Sequence, residues 1–331
     1  MSQTIHSHLL SLDPDEVDAT GEWLFRTEEP GEALLHSLER CGQIHPVLLV
    51  REGGCFFLCT GYKRWAGCRA LGISLLARET RADDLQKGRL SLQAHLPAPI
   101  EDATLIKAAR YFQHCRPKEG TSFIQRELAS FLHPKRLRIL LSWLSLPRDF
   151  DRHLKEGRIP FQAGAVLAHY QERELEAVEP LFAELRWSQS RAVQFLNWLL
   201  EASRREGTGV QELVAQRGLT ALSRAEQSPK DRLERLSAQA RALRYPELTA
   251  IEAEFSQFQQ QVRRTGYWRL EAEPSFERDT VFLQAQIASA RDLEKAEAEL
   301  RSLREARLMD RLRCWQEQRL NARQRDVQER K

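Results

Sequence analysis

The sequence has little of what marks several large protein classes. Its 331 residues carry a formal net charge of only +3, so any attraction to nucleic acid must come from local patches and not from a global field. No apolar run approaches the roughly 20 residues of a membrane span, and the N-terminus lacks the basic flank and apolar core of a signal peptide. These absences predict a cytoplasmic protein, and the length predicts about two or three domains.

Cysteine is also scarce, with six residues and no Cys-x-x-Cys pair. That number does not make a disulfide framework in a chain of this length, and it fits free thiols in a reducing compartment. Cys41 and His45 are close in sequence, as are Cys55 and Cys59, but both pairs fall in predicted loop and strand. Because a metal site needs side chains presented together, we predict no metal site.

Signatures of the common enzyme classes are missing as well. The sequence contains no Gly-x-x-x-x-Gly-Lys phosphate loop, no His-Glu-x-x-His helix and no Gly-x-Ser-x-Gly elbow. No cluster of carboxylates is suited to hold two Mg²⁺ ions, which argues against a nuclease. We therefore assign no catalytic residue from the sequence.

Residues 1–100 have the pattern of a small α/β domain. The stretch GEALLHSLERCG has helical spacing, whereas HPVLLVR and CFFLCT are short apolar runs typical of strands. Residues 52–54 (EGG) predict a turn between these strands, and a helix over about residues 63–71 should end at Gly72. The predicted order is helix, strand, turn, strand, helix.

The rest of the chain is predicted to be mainly helical. Residues 101–206 contain short helices broken at Pro and Gly positions, a pattern that suits a DNA-reading domain, and residues 207–228 are expected to be a linker carrying one weak helix. Residues 229–331 predict an α-β-β-α module with a hairpin around Pro274 and a long terminal helix capped by Ser289 and Asp292.

Two apolar patterns in this module predict helix partners. The first is a heptad seam formed by Leu248, Ile251, Phe255, Phe258 and Val262. The second is a buried stripe on the terminal helix, formed by Leu293, Ala296, Leu300 and Leu303, with a phase shift to Leu308, Leu312 and Trp315. The module is therefore expected to mediate self-association as a coiled-coil-like homodimer or to bind a protein partner, and the last 25 residues read as a solvated or self-associating helix.

The stretch TGYKRWAGCRALG, residues 60–72, has the residue types of a phosphate cradle. Gly61 would let backbone N–H groups approach an anion, the following helix N-terminus adds partial positive charge, and Lys63 and Arg64 supply charged donors. The alternative is a plain strand-to-helix turn with solvated basic residues. The composition of the stretch does not decide between the two.

The ordered succession of motifs resembles the ParB family of chromosome and plasmid partition proteins. The resemblance covers about residues 30 to 200, and the terminal third does not match that family's dimerisation domain. Each motif is weak by itself, whereas their order is more specific. The segments that carry it are LLHSLERCGQIHPVLLVR, TGYKRWAGCRALG, LQAHLPAPIEDATLIKAARYF, RELASFLHPKRLRILLSWLSLP, EGRIPFQAGAVLA and RWSQSRAVQFL.

This resemblance implies a ParB/sulfiredoxin-like N-terminal domain that binds CTP, with Gly61, Lys63 and Arg64 against the triphosphate. Closure over the nucleotide would then make the protein a DNA-encircling clamp. The family's second nucleotide motif, Glu-Asn-x-x-Arg, aligns with Leu90, Ser91 and Ala94. These residues cannot hold a divalent cation as a carboxylate or amide would, so this part of the sequence does not support the Mg²⁺-dependent CTP hydrolysis that the resemblance implies.

The related sulfiredoxin fold carries a catalytic Cys directly after the box glycine. In this sequence Tyr62 occupies that position. Cys59 and Cys68 flank the box, and we interpret both as buried thiols, since buried cysteines usually act as small apolar residues. The redox interpretation is therefore rejected.

A helix-turn-helix is predicted in the DNA-reading domain. FIQRELASFL would be the supporting helix and KRLRILLSWLSL the recognition helix. Lys135, Arg136 and Arg138 lie at the start of the recognition helix, where side chains reach bases and phosphates, and Gln125 and Arg126 would add backbone contacts. The leucines expected to pack inward are Leu128, Leu132, Leu137, Leu140, Leu141 and Leu144.

An ordinary solvated basic helix face is the alternative interpretation of these cations. Compared with the family, the turn is shorter and contains His133 and Pro134 where a glycine usually occurs. Pro134 suits a first helical turn, but a shorter turn changes the angle between the helices. Recognition of the family's parS site is therefore not carried over.

Three hypotheses follow. The main one is a double-stranded-DNA-binding protein of the ParB type, acting in partition or transcriptional regulation. The second is a CTP-binding switch or CTPase clamp in which DNA is an activator. The third is a protein-interaction scaffold whose helix-turn-helix has lost its DNA role. Salt-dependent binding to random duplex DNA disfavours the third.

Overall fold

The computed structural model of the protein describes residues 5–94, 100–265, 268–272 and 281–305, and residues 310, 314 and 317. It consists of two compact units. One contains Met1–Leu175 and Arg186–Ala192, and the other contains Glu176–Leu185 and Val193–Lys331. The described part is mainly helical with a small N-terminal mixed sheet, which confirms the predicted fold class. None of its described helices is long and apolar enough to cross a membrane.

The first unit begins with a five-stranded sheet in the order β1-β5-β3-β4-β2. Its strands are β1 (Ile5–Leu12), β2 (Val17–Asp18), β3 (Val47–Glu52), β4 (Cys55–Thr60) and β5 (Leu75–Thr80). Strands β3 and β4 form the predicted hairpin, and Gly53 and Gly54 both have positive φ, as a two-residue turn of this twist requires. Strands β3 and β5 are parallel, joined by the crossover that contains α2.

Three helices accompany the sheet: α1 (Glu32–Cys41), α2 (Tyr62–Leu71) and α3 (Asp84–Gln93). The predicted α1 and α2 are confirmed, and α2 ends at Gly72 in the left-handed conformation. Side chains from one face of the hairpin, from β5 and from α1 and α2 form one apolar core. Its fully buried members include Val47, Leu49, Leu58, Cys68 and Leu75.

A buried lysine fastens α3 to the sheet. Lys87 is 1% exposed, and its Nζ lies 2.7 Å from a carboxylate oxygen of Glu52 and 3.0 Å from one of Asp84. It also lies 4.3 Å from the ring centre of Trp23. Burial alone would lower the pKa of Lys87, but the hydrogen bonds to Glu52 and Asp84 outweigh it and raise the pKa. This contact holds the N-terminal half of α3 against the end of β3, where Glu52 lies.

Six further helices begin in the first unit between residues 102 and 172, and most of them are short. They are α4 (Asp102–Cys115), α5 (Gly120–Leu128), α6 (Pro134–Trp143), α7 (Arg148–Lys155), α8 (Gly164–Leu167) and α9 (Glu172–Val178). Helix α4 packs against α5, α6 and α7. Arg110 of α4 joins the group, because its guanidinium donates to Asp151 of α7 and to the carbonyl oxygens of Trp143 and Leu146.

The second unit contains the helices expected after residue 228, and two more. Helix α10 (Gln189–Glu206) begins in the first unit and ends in the second. The helices that follow are α11 (Val210–Gln216), α12 (Leu219–Ser223), α13 (Pro229–Arg244), α14 (Pro246–Thr265) and α15 (Ala290–Glu305), with strands β6 (Trp268–Ala272) and β7 (Val281–Ala285) before α15.

Residues 207–228 were expected to form a linker with one weak helix, and the structure corrects this expectation. This segment forms α11 and α12, and Val210, Leu213 and Leu219 are completely buried. Gly209 and Gly218, which resembled linker glycines in the sequence, are the N-cap residues of these two helices. The segment is polar on average because each helix is short and buries few side chains, so average composition obscured a folded segment.

The heptad seam of α14 has a different partner from the one expected. Its residues Ile251, Phe255, Phe258 and Val262 are buried, and Leu248 is half-buried. They pack against the β6–β7 hairpin, in which Leu270 and Leu283 are paired. The predicted hairpin is therefore confirmed, although Pro274 lies outside the described residues. Among the described residues, the β6–β7 sheet covers this seam.

The apolar stripe of α15 is only partly buried. Ser289 caps the helix as predicted, accepting a hydrogen bond from the Asp292 N–H at 3.2 Å. Ala296 is 1% exposed, but Leu293 is 56% and Leu300 40% exposed, which corrects the expectation of a buried stripe. The reason is a narrow contact, centred on the Trp268 indole that donates to the Ala296 carbonyl oxygen. The Leu303 side chain and residues Leu308, Leu312 and Trp315 fall outside what the structure describes.

Candidate anion cleft and helix-turn-helix surface

Gly61 forms the corner between β4 and α2, and its conformation requires glycine. Its φ is +95°, and a Cβ built there would lie 2.7 Å from Cγ1 of Val47 and 3.2 Å from Nη2 of Arg64. The carbonyl oxygen of Gly61 accepts the first hydrogen bonds of α2, from the N–H groups of Arg64 and Trp65. The corner thus presents the N-terminus of a ten-residue helix, whose first N–H groups favour an anion.

The two cations of the box have different surroundings. Lys63 is about half exposed, and its Nζ lies 3.3 Å from a carboxylate oxygen of Glu28. Arg64 donates through Nη1 to the carbonyl oxygens of His45 (2.8 Å) and Pro46 (2.9 Å), and burial lowers its pKa. Arg64 therefore anchors α2 to the start of β3, while its Nη2 stays beside the glycine corner.

A cleft of about 210 Å³ opens at this corner. Its walls combine three segments that are far apart in the sequence. They are Leu24, Arg26 and Glu28 from one extended segment, residues 60–64 from the box, and Ser91 and Ala94 from the end of α3. The structure thus brings the box together with two of the three positions that align with the family's second motif.

The chemistry of this cleft suits phosphate groups better than a metal ion. Arg26, Lys63 and Arg64 supply positive charge, whereas Ser91 offers one hydroxyl and Ala94 a methyl group. Arg26 was not singled out in the sequence, because its segment has no periodicity and no motif of its own. A volume of about 210 Å³ is below the usual 300–1,000 Å³ of drug-sized ligand sites, so a whole nucleotide would extend beyond this cleft.

The thiols near the box are buried, as predicted. Cys59 and Cys68 are 1% and 0% exposed. Burial raises the pKa of Cys59 to about 12 and also raises the pKa of Cys68. Both side chains are therefore neutral near pH 7 and are poor nucleophiles. Within the described residues, no group of three or more Cys, His, Asp or Glu side chains is placed to hold a metal ion.

Helices α5 and α6 form the expected helical pair. His133 caps α6, because its Nδ1 accepts a hydrogen bond from the Lys135 N–H, and Pro134 occupies the first helical turn. The predicted inward leucines are buried except for Leu141, which is half-buried. The buried ones are Leu128, Leu132, Leu137, Leu140 and Leu144.

The five predicted DNA contacts divide into two groups. Lys135, Arg138 and Gln125 are exposed, and neither of the two cations forms an ion pair with any described residue. Arg126 is exposed but lies 3.2 Å from a carboxylate oxygen of Glu119. Arg136 is bound within the fold.

Arg136 connects α6 to the start of α4. Its Nη2 lies 2.6 Å from Oδ1 of Asp102 and 2.8 Å from the carbonyl oxygen of Ile100, and its Nε also donates to Asp102. The side chain is 39% exposed, and the Asp102 side chain 34%. Arg136 thus has a structural partner that Lys135 and Arg138 lack, and its role as a DNA contact stays a prediction.

Comparisons with known proteins add little to this geometry. No protein-family model matches the chain, and no curated protein matches it. The similar solved structures include the C-terminally truncated chromosome-partitioning protein ParB from Caulobacter crescentus, complexed to the centromeric parS site. It is 12% identical with a TM-score of 0.36, over 57% of this chain and 98% of that chain.

The same truncated ParB complexed with CTP-gamma-S is also similar. It is 14% identical with a TM-score of 0.25, over 54% of this chain and 100% of that chain. Both TM-scores are below 0.5, so the function of this chain is argued from its own geometry.

One ion pair connects the cleft to the helical pair. Arg89 of α3 donates to both carboxylate oxygens of Glu127 of α5, through Nε at 2.7 Å and Nη2 at 2.5 Å. The end of α3 supplies Ser91 and Ala94 to the cleft, and α5 supports α6. This bidentate pair therefore joins α3 directly to α5.

Proposed function

We propose that this chain binds double-stranded DNA through the N-terminal end of α6. The observation that carries the proposal is the exposure of Lys135 and Arg138 without an ion pair among the described residues. The two residues are three apart and therefore lie on one helix face. Side chains at this end of the second helix of such a pair are placed to contact phosphates and base edges.

The buried leucines behind these cations support the same function. They hold α5 and α6 as a compact pair, so the cations are presented on rigid helices and not on a loop. The net charge of +3 is small, so the attraction would be local and would weaken as salt increases. Gln125 and Arg126 of α5 would add contacts to the DNA backbone.

A role in chromosome or plasmid partition, or in transcriptional regulation, is the cellular context that we propose. In that context the Gly61 cleft would bind the phosphates of CTP through Gly61, Lys63 and Arg64. Ser91 offers a hydroxyl and Ala94 a methyl group in the positions that the family resemblance assigns to Asn and Arg, so we expect binding without metal-dependent hydrolysis. A homodimer through the C-terminal helices would place two such DNA readers together.

Selection of bound fragments from a genomic DNA pool tests the main proposal. The unmodified chain should enrich duplex fragments, and the double variant Lys135→Ala/Arg138→Ala should lose this enrichment. Arg40→Ala is the matched control, because Arg40 is an exposed cation on α1. Equal enrichment by the double variant and by the control would refute the assigned DNA surface.

A nucleotide-responsive switch is the second candidate, and the Arg89–Glu127 pair favours it. CTP titration by calorimetry, with and without Mg²⁺ and duplex DNA, tests this function. Lys63→Ala should weaken CTP binding several-fold, whereas Lys135→Ala should leave CTP binding unchanged without DNA. Absence of CTP binding up to millimolar concentration, with DNA binding intact, would remove the switch and leave the DNA reader.

A further inference from the structure

A second cavity of about 660 Å³ lies within the first unit, beside the segment that lines the Gly61 cleft. Residues of this segment alternate between the two spaces. Leu24 and Arg26 line the cleft, whereas Phe25 and Thr27 line the second cavity. Its other walls come from α4 and α7, and we refer to it as the α4–α7 cavity. The DNA and CTP proposals make no use of it.

Cations line one side of the α4–α7 cavity. Helix α7 contributes Arg148, Arg152 and Lys155, whose spacing of three to four residues places them on one helix face. Helix α4 contributes Lys107. Arg152 also lies 3.6 Å from an oxygen of its neighbour Asp149, an exposed pair of the kind that contributes little.

Carboxylates in the same cavity do not balance these cations. Asp151 is paired with Arg110, and Glu28 is paired with Lys63. Arg152 is paired with Asp149, so Glu22 and Glu101 remain against three cations from α4 and α7, namely Lys107, Arg148 and Lys155. The cavity therefore has an excess of positive charge.

Lys107 is the most constrained of these cations. Its side chain is exposed along part of its length, but its Nζ donates to the Leu24 carbonyl oxygen at 2.6 Å. Removal from solvent lowers the pKa of Lys107, and the charge of Lys155 lowers it further, while Glu22 and Glu28 oppose both effects. Two ammonium groups that repel each other across a cavity are stabilised by an anion between them.

The wall behind these ammonium groups is apolar. Phe25 is 5% exposed and Ile106 1%, and the ring of Phe25 packs edge-on against that of Tyr111 at 5.7 Å between centroids. The Tyr111 hydroxyl is already used, because it donates to the Asp84 carbonyl oxygen. A ligand that fills this space therefore needs an anionic group and an apolar or aromatic body, and about 660 Å³ is a usual size for such a site.

We propose that the α4–α7 cavity binds a small organic phosphate monoester. Its phosphate lies between Lys107 and Lys155, and its apolar body lies against Phe25 and Ile106. This ligand class follows from the charge excess and the aromatic wall together. The site is separate from the Gly61 cleft, so its ligand need not be the one that binds there.

Calorimetry on the full chain tests this site, with phenyl phosphate as the probe. Inorganic phosphate carries the charge alone and phenol the ring alone, so phenyl phosphate should bind more tightly than either. Lys107→Met and Lys155→Met should each weaken phenyl phosphate binding about tenfold, the loss typical of one charged hydrogen bond. Lys118→Met and Lys230→Met are matched controls, because both lysines are exposed and line neither the cavity nor the Gly61 cleft, and these variants should bind the probe normally.

Lys155 is exposed, so Lys155→Met should fold normally even if Lys107→Met does not. Far-UV circular dichroism shows whether each variant is folded. Unchanged phenyl phosphate binding in folded Lys155→Met would overturn the proposal. Absence of phenyl phosphate binding up to about 10 mM would also overturn it, because even a very weak site would bind the probe at that concentration. A loss of duplex DNA binding in Lys155→Met without any phenyl phosphate binding would instead assign these cations to the DNA surface, and would also overturn it.

Discussion

The Gly61 cleft and the α5–α6 pair share a sequence pattern, but their cations have different partners in the structure. In both regions a turn leads into a helix whose first turn carries adjacent cations. In the cleft, Lys63 faces Glu28 and Arg64 is bound to two carbonyl oxygens. On α6, Arg136 is bound to Asp102, but Lys135 and Arg138 have no such partner among the described residues.

This difference separates anchoring cations from ligand-facing ones. Arg64 and Arg136 each use a planar guanidinium to satisfy backbone carbonyl oxygens, a role that lysine fills less well. Lys63, Lys135 and Arg138 lie closer to solvent, where a phosphate can approach. We therefore expect the helix pair to bind a polyanion more readily than the cleft does. The following experiments test this comparison, from the largest expected effect to the smallest.

Gly61→Ala should have the largest effect. The added Cβ would meet Val47 at 2.7 Å in a left-handed conformation, so we expect a loss of about 2–4 kcal/mol in the free energy of unfolding. Urea denaturation followed by circular dichroism measures it. Gly72→Ala is the matched control, because Gly72 also has positive φ but faces open space, and it should cost only about 1 kcal/mol. Equal losses would show that the corner is not tightly packed.

The double variant Lys135→Ala/Arg138→Ala should weaken DNA binding by roughly 10- to 100-fold near 0.1 M salt, since two phosphate contacts are lost. Fluorescence anisotropy over a salt series measures both affinity and its salt dependence. The slope of log K against log salt should decrease by about two, with the free energy of unfolding unchanged within about 0.5 kcal/mol. An unchanged slope would contradict the exposed-cation surface.

Arg136→Ala should lower the stability of the fold and leave DNA binding nearly unchanged. Asp102 and the Ile100 carbonyl oxygen lose their donor, so stability should decrease by about 1 kcal/mol, a modest value because the pair is partly exposed. The salt slope of DNA binding should change by less than one unit. Thermal unfolding and the same anisotropy series measure the two effects. A full unit of slope lost without destabilisation would make Arg136 a DNA contact, as the sequence predicts.

Lys63→Ala should have the smallest effect on the fold. Its ion pair with Glu28 is about half exposed on both sides, and such pairs contribute at most about 0.5–1 kcal/mol. Chemical denaturation should therefore give nearly the same free energy as for the unmodified chain. A larger loss would mean that Lys63 is an anchor like Arg64 and would weaken its assignment to an anion.

Local signals made much of this fold predictable. The EGG turn, the Gly72 helix end, the Ser289 cap and the alternation around β7 each depend on neighbours in the sequence, and each corresponds to an observed element. Strands β1, β2 and β5 and helix α3 were not predicted. Strand β1 pairs with β5 from a distant part of the chain, and β2 with β4, so neither pairing leaves a local signature.

The misjudged regions have a common physical cause. The polar composition of residues 207–228 led to the prediction of a linker where the structure has the short helices α11 and α12. The apolar seam of a helix does not indicate which surface packs against it. For α14 the cover is the β6–β7 hairpin, whereas for α15 it is a narrow contact with Trp268 that leaves Leu293 and Leu300 exposed. Burial depends on what packs against a face, and periodicity describes only the face itself.

By itself, the sequence determined the helix and strand segments with strong local periodicity, the glycine corner at Gly61 and the basic start of α6. It did so because turns, caps and amphipathic faces depend on residues a few positions apart. Only the tertiary structure decided which cations are anchored, which stay exposed, and that Arg26, Ser91 and Ala94 meet the box. Those outcomes depend on carboxylates and carbonyl groups that folding brings from distant segments, such as Glu28 to Lys63 and Asp102 to Arg136.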